Sequence, residues 1–586
     1  MQPGKIFAPK FLSVIFVLLA LLLAACGGGG SNTNQGTGAQ TKASADKQIY
    51  IRPYQFSDLK TLDPALETDL YSAQAINMIY SGLVEQDDQG KIQPALAQSW
   101  KVASDHVTWT FTLRSGLKFS DGTPLTSTDV AYSLDRALQP ATKSTYAPGY
   151  LNLIKDFDKL NTGKIKTIIG DSIQTPDPQT VVIITNKQAA YFLYTLAIQV
   201  SYIVEKSLIN KYGSKFTDHL GEGGGSGPWI VSKYAHGQEI DFTPNPNYYG
   251  KKPQLAKVVR PFYAQSDTIY KAYQVNQVDQ SPVPGANLAA AKALPEGQFH
   301  QVPILANGYY TMNYLVKPFD NIHIRQAFDL ALDKDLIANN IWKGTYIASN
   351  HIIPEGMPGY NPNLTRAGGV KDTKAHPDLA KQLFNQGLKE EGLTLATLPP
   401  ITFTVSTIGA ADLRNEIAAE QQMWQSTLGV SVKINDIDFN KLVTDTTAST
   451  NNPKGLMAWS IGWIADYPDP QDWTTLQFDN GAANNNNNYG QNQSSDAVQQ
   501  QQTQKLLEQA DANLNPDQRI QQYQQAEQQL VNDVAWLTVY QQAITDVLKP
   551  CVSGVVFNAI DIVPPDDWNN IYINTSPTCA NTANYK

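Results

Sequence analysis

The chain has 586 residues, of which 42% are hydrophobic and 17% charged, and it carries a formal net charge of −9. A chain of this length is too large for one hydrophobic core, so we expect two or three domains. The acidic balance argues against nucleic acid as a partner, since proteins that bind it present basic stripes. The 28 tyrosines and 10 tryptophans favour a site for sugars, peptides or other small solutes.

The N-terminal segment has the pattern of an export signal. Two lysines precede an apolar run at 11–23, which is shorter than the ~20 residues that a permanent membrane-spanning helix needs. Small residues directly before Cys26 resemble a bacterial lipoprotein signal, in which cleavage exposes the cysteine for diacylglycerol attachment. We therefore expect a signal peptide over 1–26 and a flexible tether over 27–45. An ordinary secretory signal with an incidental cysteine is the alternative.

Lipidation of Cys26 would hold the mature protein at the outer face of the cytoplasmic membrane, on the cell surface or in a periplasm. Only two further cysteines are present, Cys551 and Cys579. An even pair in an oxidising compartment favours a disulfide that pins the C-terminal tail, and two free thiols are the alternative. The sequence has no Cys-x-x-Cys pair, so a zinc ribbon or a thioredoxin-like site has no support.

The first half of the mature chain alternates strand and helix signals, which indicates a mixed α/β body. Period-two alternation predicts strands at 49–52 and 108–114, and a continuous apolar run predicts a buried strand at 180–185. Thr126 and Asp129 have the spacing of an acidic capping box, which predicts that a helix begins there.

A glycine-rich run at 221–234 lacks the Lys-Ser/Thr pair of a phosphate-binding loop and the GxGxxG spacing. We interpret it as a turn that lets two backbone segments approach closely and then feeds a strand at 229–232. Near the C-terminus, the glutamine-rich run 499–529 keeps apolar residues at helical spacing on both sides of an Asn-Pro pair. This pattern predicts two packed helices, whereas the asparagine run 484–488 is expected to be a solvent loop.

The sequence GWIADYPDPQDW at 462–473 contains three carboxylates, Asp466, Asp469 and Asp472. Glycosidases use paired carboxylates ~5 to 9.5 Å apart, and sequence spacing alone does not exclude that chemistry. Calcium loops space their acids differently, and the two prolines prevent a regular helix from aligning these three. We expect neither catalytic residues nor metal ligands, and we interpret Asp469 and Asp472 as turn and helix-capping residues.

Several distinctive segments follow one another along the chain: the lipoprotein signal, LDPAL at Leu62, WTFTLRSGLKFSDGTPLTSTDVAYSLDRAL at Trp109, GSGPWIVSKY at Gly225, PNYYG at Pro246, PFDNIHIRQAFDLALDKDLI at Pro318 and GWIADYPDP at Gly462. In this order they resemble the family 5 extracellular solute-binding proteins, the oligopeptide- and dipeptide-binding components of ABC importers.

The resemblance implies an α/β type II periplasmic-binding-protein fold, in which two lobes close about a hinge and an extra domain is inserted. By that pattern, lobe I comprises 46–80, 187–303 and 545–586. The inserted domain II comprises 81–186, and lobe III comprises 304–544.

The resemblance also implies a ligand contact. In peptide-binding members, the aspartate of a Gly-Trp-x-x-Asp stretch pairs with the peptide's α-ammonium, and the stretch from Gly462 to Asp466 matches that spacing. The strand edge from Gly462 to Ile464 would pair with an extended peptide by β-augmentation, with Trp463 as a wall or stacking surface. The alternatives are a salt bridge from Asp466 to a protein cation and burial of Trp463 in a core between the lobes.

The chain departs from the pattern at Ser460 and Ile461, where some oligopeptide binders carry a basic residue for the ligand carboxylate. That contact is therefore unassigned. We expect a monomeric substrate-binding lipoprotein that needs no cofactor, captures oligopeptides and delivers them to membrane permease subunits. The alternatives are a receptor of the same fold for an oligosaccharide or another solute, a sensor that presents ligand to a signalling partner, and a membrane-anchored glycoside hydrolase.

Overall fold

The computed structural model describes residues 41–295, 297–407, 409–482, 484–576 and 578–585. The predicted signal peptide, Cys26 and most of the predicted tether lie outside the described residues. Within these ranges, none of the helices has the length and apolar character needed to cross a membrane.

The strands are β1 Ile49–Ile51, β2 Val84–Gln86, β3 Ile92–Pro94, β4 Ala97–Val102, β5 Thr108–Leu113, β6 Ile173–Asp177, β7 Thr180–Ile184, β8 Trp229–Ala235, β9 Glu239–Pro244, β10 Lys257–Pro261, β11 Gln280–Pro282, β12 Phe299–Met312, β13 Tyr346–Ala348, β14 Thr402–Val405, β15 Lys433–Asp436, β16 Ala458–Ile464, β17 Leu537–Leu548, β18 Val552–Ser553 and β19 Tyr572–Ile573.

The α-helices are α1 Leu70–Ile79, α2 Ser127–Leu138, α3 Ala147–Tyr150, α4 Phe157–Asn161, α5 Phe192–Thr195, α6 Lys206–Tyr212, α7 Ser266–Gln274, α8 Leu288–Lys292, α9 Ile322–Leu330, α10 Lys334–Leu336, α11 Pro377–Glu390, α12 Ala411–Leu428, α13 Phe439–Thr447, α14 Pro470–Trp473, α15 Thr475–Phe478, α16 Ala497–Ala512 and α17 Pro516–Asn532.

Three sheets of four or more strands organise the described residues, and β2-β3 and β18-β19 form two further two-stranded sheets. Of the three larger sheets, one has the order β1-β10-β9-β8, a second has the order β4-β5-β7-β6, and the third runs β11-β17-β12-β16-β14-β15 with β13 paired to β17. Each of these three sheets packs against a hydrophobic cluster of its own. The architecture is therefore a mixed α/β body with three sheet-centred parts.

Two long antiparallel strands, β12 and β17, pass from one side of the molecule to the other. The C-terminal end of β17 pairs with β11 on one edge and with the first residues of β12 on the other, and further along β12 pairs with β16. Their register shifts between Pro303 and Asn307. The lobe boundaries expected at 303/304 and 544/545 thus fall inside these strands, which makes β12 and β17 the connection about which two lobes would move.

The strands predicted from periodicity are confirmed as β1, β5 and β7, and the capping box of Thr126 and Asp129 is present at the start of α2. The glycine-rich run also behaves as predicted, because a Cβ atom on Gly227 would lie 2.6 Å from the carbonyl oxygen of Met78. Only glycine allows this approach between the run and the end of α1.

The glutamine-rich run forms α16 and α17, which pack on each other as predicted. The prediction of a solvent loop for the asparagine run was wrong. Asn485, Asn487 and Asn488 are buried, and their side-chain amides donate to backbone carbonyls, such as Asn487 to Ala535 at 2.8 Å and Asn488 to Ser449 at 3.0 Å. Here the asparagine amides donate hydrogen bonds to buried loop carbonyls, which lie outside the helices and strands.

Cys551 and Cys579 form a disulfide with their Cα atoms 5.6 Å apart, and 28 positions separate them in sequence. Closing a loop of this length in the unfolded chain contributes about 3 kcal/mol in the chain-entropy model. We expect Cys551→Ala/Cys579→Ala to lower the free energy of unfolding by about that amount, measured by urea titration. Reductant should destabilise the native chain equally and leave the double variant unchanged; equal midpoints for both proteins would contradict the prediction.

Candidate ligand-binding cleft

A cleft of about 710 Å³ is lined by residues from the segments around all three sheets. Its volume lies in the range that small-molecule sites usually have. The basic residues of its lining are Arg52 and Arg260, and the acidic ones are Glu67, Asp69, Glu85, Asp466, Asp546 and Asp561. Carboxylates therefore outnumber cations, so the cleft favours a positively charged occupant.

The end of β16 presents an unpaired backbone edge beside this cleft. β16 pairs with β12 along its whole length, but β14 reaches only as far as Trp459 on the other edge. The Ala465 N–H donates to the Leu305 carbonyl of β12 at 2.8 Å. Since N–H groups alternate along a strand, those of Ile464 and Gly462 point to the opposite edge. That edge is available to a further extended segment.

The structure separates the four residues that the motif singled out. Asp466 and Ile464 line the cleft, and Ile464 is 67% exposed. Gly462 and Trp463 are not part of its lining. The Trp463 indole packs against an aromatic cluster that includes Trp473 and donates to the carboxylate of Asp472 at 3.1 Å. The cleft is therefore lined by Asp466 and Ile464, whereas Gly462 and Trp463 lie outside its lining.

The charge of the Asp466 carboxylate is not balanced by a cation from the part of the chain that the structure describes. Burial raises its pKa, and the Tyr150 hydroxyl, which hydrogen-bonds to the carboxylate, opposes that rise. Among the described residues no lysine, arginine or histidine contributes to this balance. The alternative of a salt bridge to a protein cation is therefore not observed, and the carboxylate keeps acceptor capacity for a ligand.

Asp472 holds the backbone at this site. It is fully buried and accepts one hydrogen bond from the Trp463 indole and another from the Asp466 N–H, each at 3.1 Å. Burial and the neighbouring Asp466 charge raise its pKa well above the usual range. Asp472 therefore fixes the turn that carries Asp466, so of the turn and capping roles predicted for the two aspartates, Asp472 has the turn role and Asp469 the capping role. The Asp469 carboxylate caps α14 by accepting from the Gln471 N–H at 2.9 Å.

Sequence reasoning missed the residues that face Asp466 from other segments. Tyr150 belongs to α3, and Tyr467 stacks on Tyr191 with the ring planes at 3°. The loop before α1 adds Glu67 and Asp69 to the lining. No local motif could have joined these positions, because they are hundreds of residues apart in sequence. The described residues contain no group of three or more His, Cys, Asp or Glu side chains that could hold a metal ion.

Sheets joined by two crossover strands, with an inter-lobe cleft beside them, define the two-lobed fold of the type II periplasmic-binding-protein class. A solved structure described as the unliganded open form of the murein tripeptide-binding protein MppA matches with a TM-score of 0.77 and 23% identity, over 92% of this chain and 99% of that one. Peptide-bound OppA of Listeria monocytogenes matches with a TM-score of 0.60 and 22% identity, over 90% and 99%. These matches confirm the predicted fold.

The chain belongs to the bacterial extracellular solute-binding proteins, family 5, whose model matches residues 91–485. The oligopeptide-binding protein OppA of Bacillus subtilis (strain 168) is 28% identical over 550 residues, which cover 92% of this chain and 96% of that protein. The family predicted from the sequence motifs is confirmed, and it is a family of binding proteins.

Proposed function

We propose that the chain is the extracytoplasmic substrate-binding lipoprotein of an ABC transporter, which captures oligopeptides in the cleft and delivers them to a membrane permease. The observation that carries the peptide assignment is Asp466, a half-buried carboxylate that lines the cleft without a protein cation. A charge enclosed between closing lobes needs a partner, and an α-ammonium offers three charge-assisted hydrogen bonds. The similarity to a protein named as oligopeptide-binding supports the same ligand class.

In this proposal the edge of β16 binds the ligand backbone. The N–H groups of Gly462 and Ile464 face away from β12, so an extended peptide can add to this edge whatever its side chains are. The Trp463 indole donates to Asp472 and so helps to hold this edge in place. A side chain of the ligand would lie next to Trp463. Lobe closure about β12 and β17 would then enclose the peptide.

We also propose where the protein acts in the cell. Lipid on Cys26 would keep a monomeric receptor at the outer face of the cytoplasmic membrane, where the permease subunits receive its ligand. Mass measurement of the protein from its native membrane tests the anchor, since a diacylglyceryl group on Cys26 is expected. A mature chain that starts elsewhere would contradict this part alone.

Native mass spectrometry of the purified protein, followed by denaturation and sequencing of what is released, tests the ligand class. We expect a set of peptides of similar length and varied sequence, because backbone pairing tolerates many side chains. A bound oligosaccharide would overturn the peptide assignment and retain the class of receptor. Cleavage of glycoside substrates by the same sample would instead support the membrane-anchored hydrolase.

Peptide affinity is expected to fall at acidic pH. The ammonium favours the ionised form of Asp466, whereas burial in the free cleft raises the pKa of this group. Affinity is therefore complete above that raised pKa and is lost as the pH falls through it, starting above the value of about 3.9 usual for aspartate. Calorimetric titration with a histidine-free peptide from pH 8 to pH 4 measures this. The slope should be smaller in Asp466→Asn, where other lining carboxyls such as Glu67 still titrate, and a pH-independent affinity in the native protein would contradict the prediction.

A further inference from the structure

Tyr146, immediately before α3, lines the cleft together with three acidic residues, Asp466, Glu67 and Asp69; we call the part of the cleft next to Tyr146 its acidic end. Its ring lines the cleft and is 38% exposed. Burial raises its pKa, and three carboxylates add to that rise by their charge: Asp466, Glu67 and Asp69. The Tyr146 ring packs edge-on against Tyr150, with the centroids 5.6 Å apart, and the Tyr150 hydroxyl hydrogen-bonds to Asp466 at the end of β16. The loop before α1 contributes the other two acids to the same lining.

The two acids of that loop keep acceptor capacity on the cleft side. Glu67 is only 8% exposed and is not ion-paired; the backbone N–H of Asp69 and a distant Lys60 are the groups that oppose the effect of its burial, which raises its pKa to about 7. Asp69 uses Oδ1 to cap α1 at the Ser72 N–H, at 3.0 Å. Its Oδ2 is buried and has no hydrogen-bond partner within the described chain.

The two arginines of the cleft have other partners and do not balance the charge at this end. Arg52 is paired with Asp561 at 3.1 Å, and Arg260 lies over the Tyr54 ring at 3.6 Å and donates to Gln74 at 2.8 Å. Neither arginine contributes to the charges that act on Tyr146. Three carboxyl groups, Asp466, Glu67 and Asp69, thus line this end of the cleft, and none of them is ion-paired with a lysine, arginine or histidine among the described residues. A single ligand ammonium on Asp466 would leave the other two without a cation.

We propose that this end of the cleft selects peptides with a basic side chain on their first or second residue, whose cation lies between Glu67, Asp69 and Tyr146. The inference rests on the proposed function, because it takes the α-ammonium to occupy Asp466. A lysine or arginine side chain brings several donors for the free carboxylate oxygens. The exposed face of Tyr146 adds a cation–π contact. The ligand class is therefore a peptide with two positive charges at its N-terminal end.

Calorimetry with two matched pairs of tripeptides tests the preference: Lys-Ala-Ala against norleucine-Ala-Ala, and Ala-Lys-Ala against Ala-norleucine-Ala. Norleucine keeps the aliphatic chain and removes the charge. For one pair we expect the lysine peptide to bind about tenfold more tightly or better, because one charge-assisted hydrogen bond supplies an affinity difference of that size. In Glu67→Gln/Asp69→Asn the ratio should fall to within about twofold of unity, while the norleucine peptide keeps its native affinity. Asparagine is as good a helix cap as aspartate, so α1 should remain stable.

Glu85→Gln is the matched control for a change in the cleft lining. It replaces one carboxyl group of the same lining, whose pKa burial raises to about 8, at a position that does not act on Tyr146. This variant should keep the lysine preference. Equal binding of lysine and norleucine peptides to the native protein would overturn the inference. A preference that survives in Glu67→Gln/Asp69→Asn, or that Glu85→Gln also abolishes, would likewise overturn it.

A titration with 1,5-diaminopentane separates failure of the inference from failure of the proposed function. This diamine carries two cations and no peptide backbone. If no tripeptide binds but the diamine does, and Glu67→Gln/Asp69→Asn weakens it, the pocket for a cation is supported and the peptide assignment is wrong. If neither binds, both proposals are overturned.

Discussion

Asp466→Asn is expected to weaken binding of a tripeptide by about two to three orders of magnitude. Removing one member of a buried charge pair costs roughly 3 to 5 kcal/mol, and each 1.4 kcal/mol is a factor of ten in affinity. The asparagine keeps the size of the side chain and can still accept from Tyr150, which approaches the aspartate in the native protein. Isothermal titration calorimetry at pH 7.5 measures the change.

An N-acetylated form of the same peptide makes the test specific to the ammonium. On the native protein, acetylation should cost about as much affinity as the mutation, and on Asp466→Asn it should cost little more. Asp445→Asn is the matched surface control, because it removes one carboxylate that pairs with Lys441 on the exposed face of α13. Its affinity should be native. Additive losses from mutation and acetylation would show that Asp466 does not contact the ammonium.

The mutation should also leave the free protein at least as stable as the native one. Asp466 is a half-buried charge without a protein cation, so replacing it with a neutral amide removes a desolvation cost. A large loss of stability in Asp466→Asn would instead indicate a structural role. Urea unfolding of the empty protein separates these outcomes, since the affinity loss is expected without a fold defect.

Much of the fold could be predicted from local patterns, because strands and helices follow from side-chain periodicity. The strand at 108–114 and the capping box at Thr126 depend on neighbours within a few residues. The asparagine run could not be placed in the same way. Composition indicated a solvent loop, whereas burial of Asn488 depends on carbonyls such as that of Ser449, supplied from another segment. Tertiary hydrogen bonds of this kind leave no local periodicity.

The site was predictable only along its own strand. The spacing from Gly462 to Asp466 identifies a carboxylate after a strand edge. The structure places Asp466 in the lining of the cleft, directly after the β16 strand that contains Gly462. The opposite wall, with Tyr150 and Glu67, comes from segments whose sequences show no ligand-binding pattern. The direction of the Trp463 side chain was also unpredictable, since its indole partner Asp472 becomes a neighbour only through the turn between them.

Arg519→Met is expected to lower the free energy of unfolding by roughly 3 to 5 kcal/mol, because it leaves a buried carboxylate unpaired. Arg519 on α17 donates to both oxygens of Asp469 at 2.6 Å each. The side chains are 7% and 0% exposed, so water cannot replace the lost partner. Urea titration measures the loss. Arg519→Met/Asp469→Asn removes both charges and should recover part of the stability, whereas a double variant no more stable than the single one would contradict the pairing argument.

Arg519→Met is also expected to weaken peptide binding at the ligand site. Asp469 caps α14, and Asp472 in that helix accepts from the backbone N–H of Asp466. Loss of Arg519 should therefore loosen the turn that positions Asp466 and weaken peptide binding. Cys551→Ala/Cys579→Ala is the stability-matched control, because its loss is of similar size and neither cysteine lines the cleft. Weaker binding in Arg519→Met alone would show that the ion pair positions the ammonium-binding carboxylate. Equal affinities of the two variants would show that the ion pair contributes to stability and not to binding.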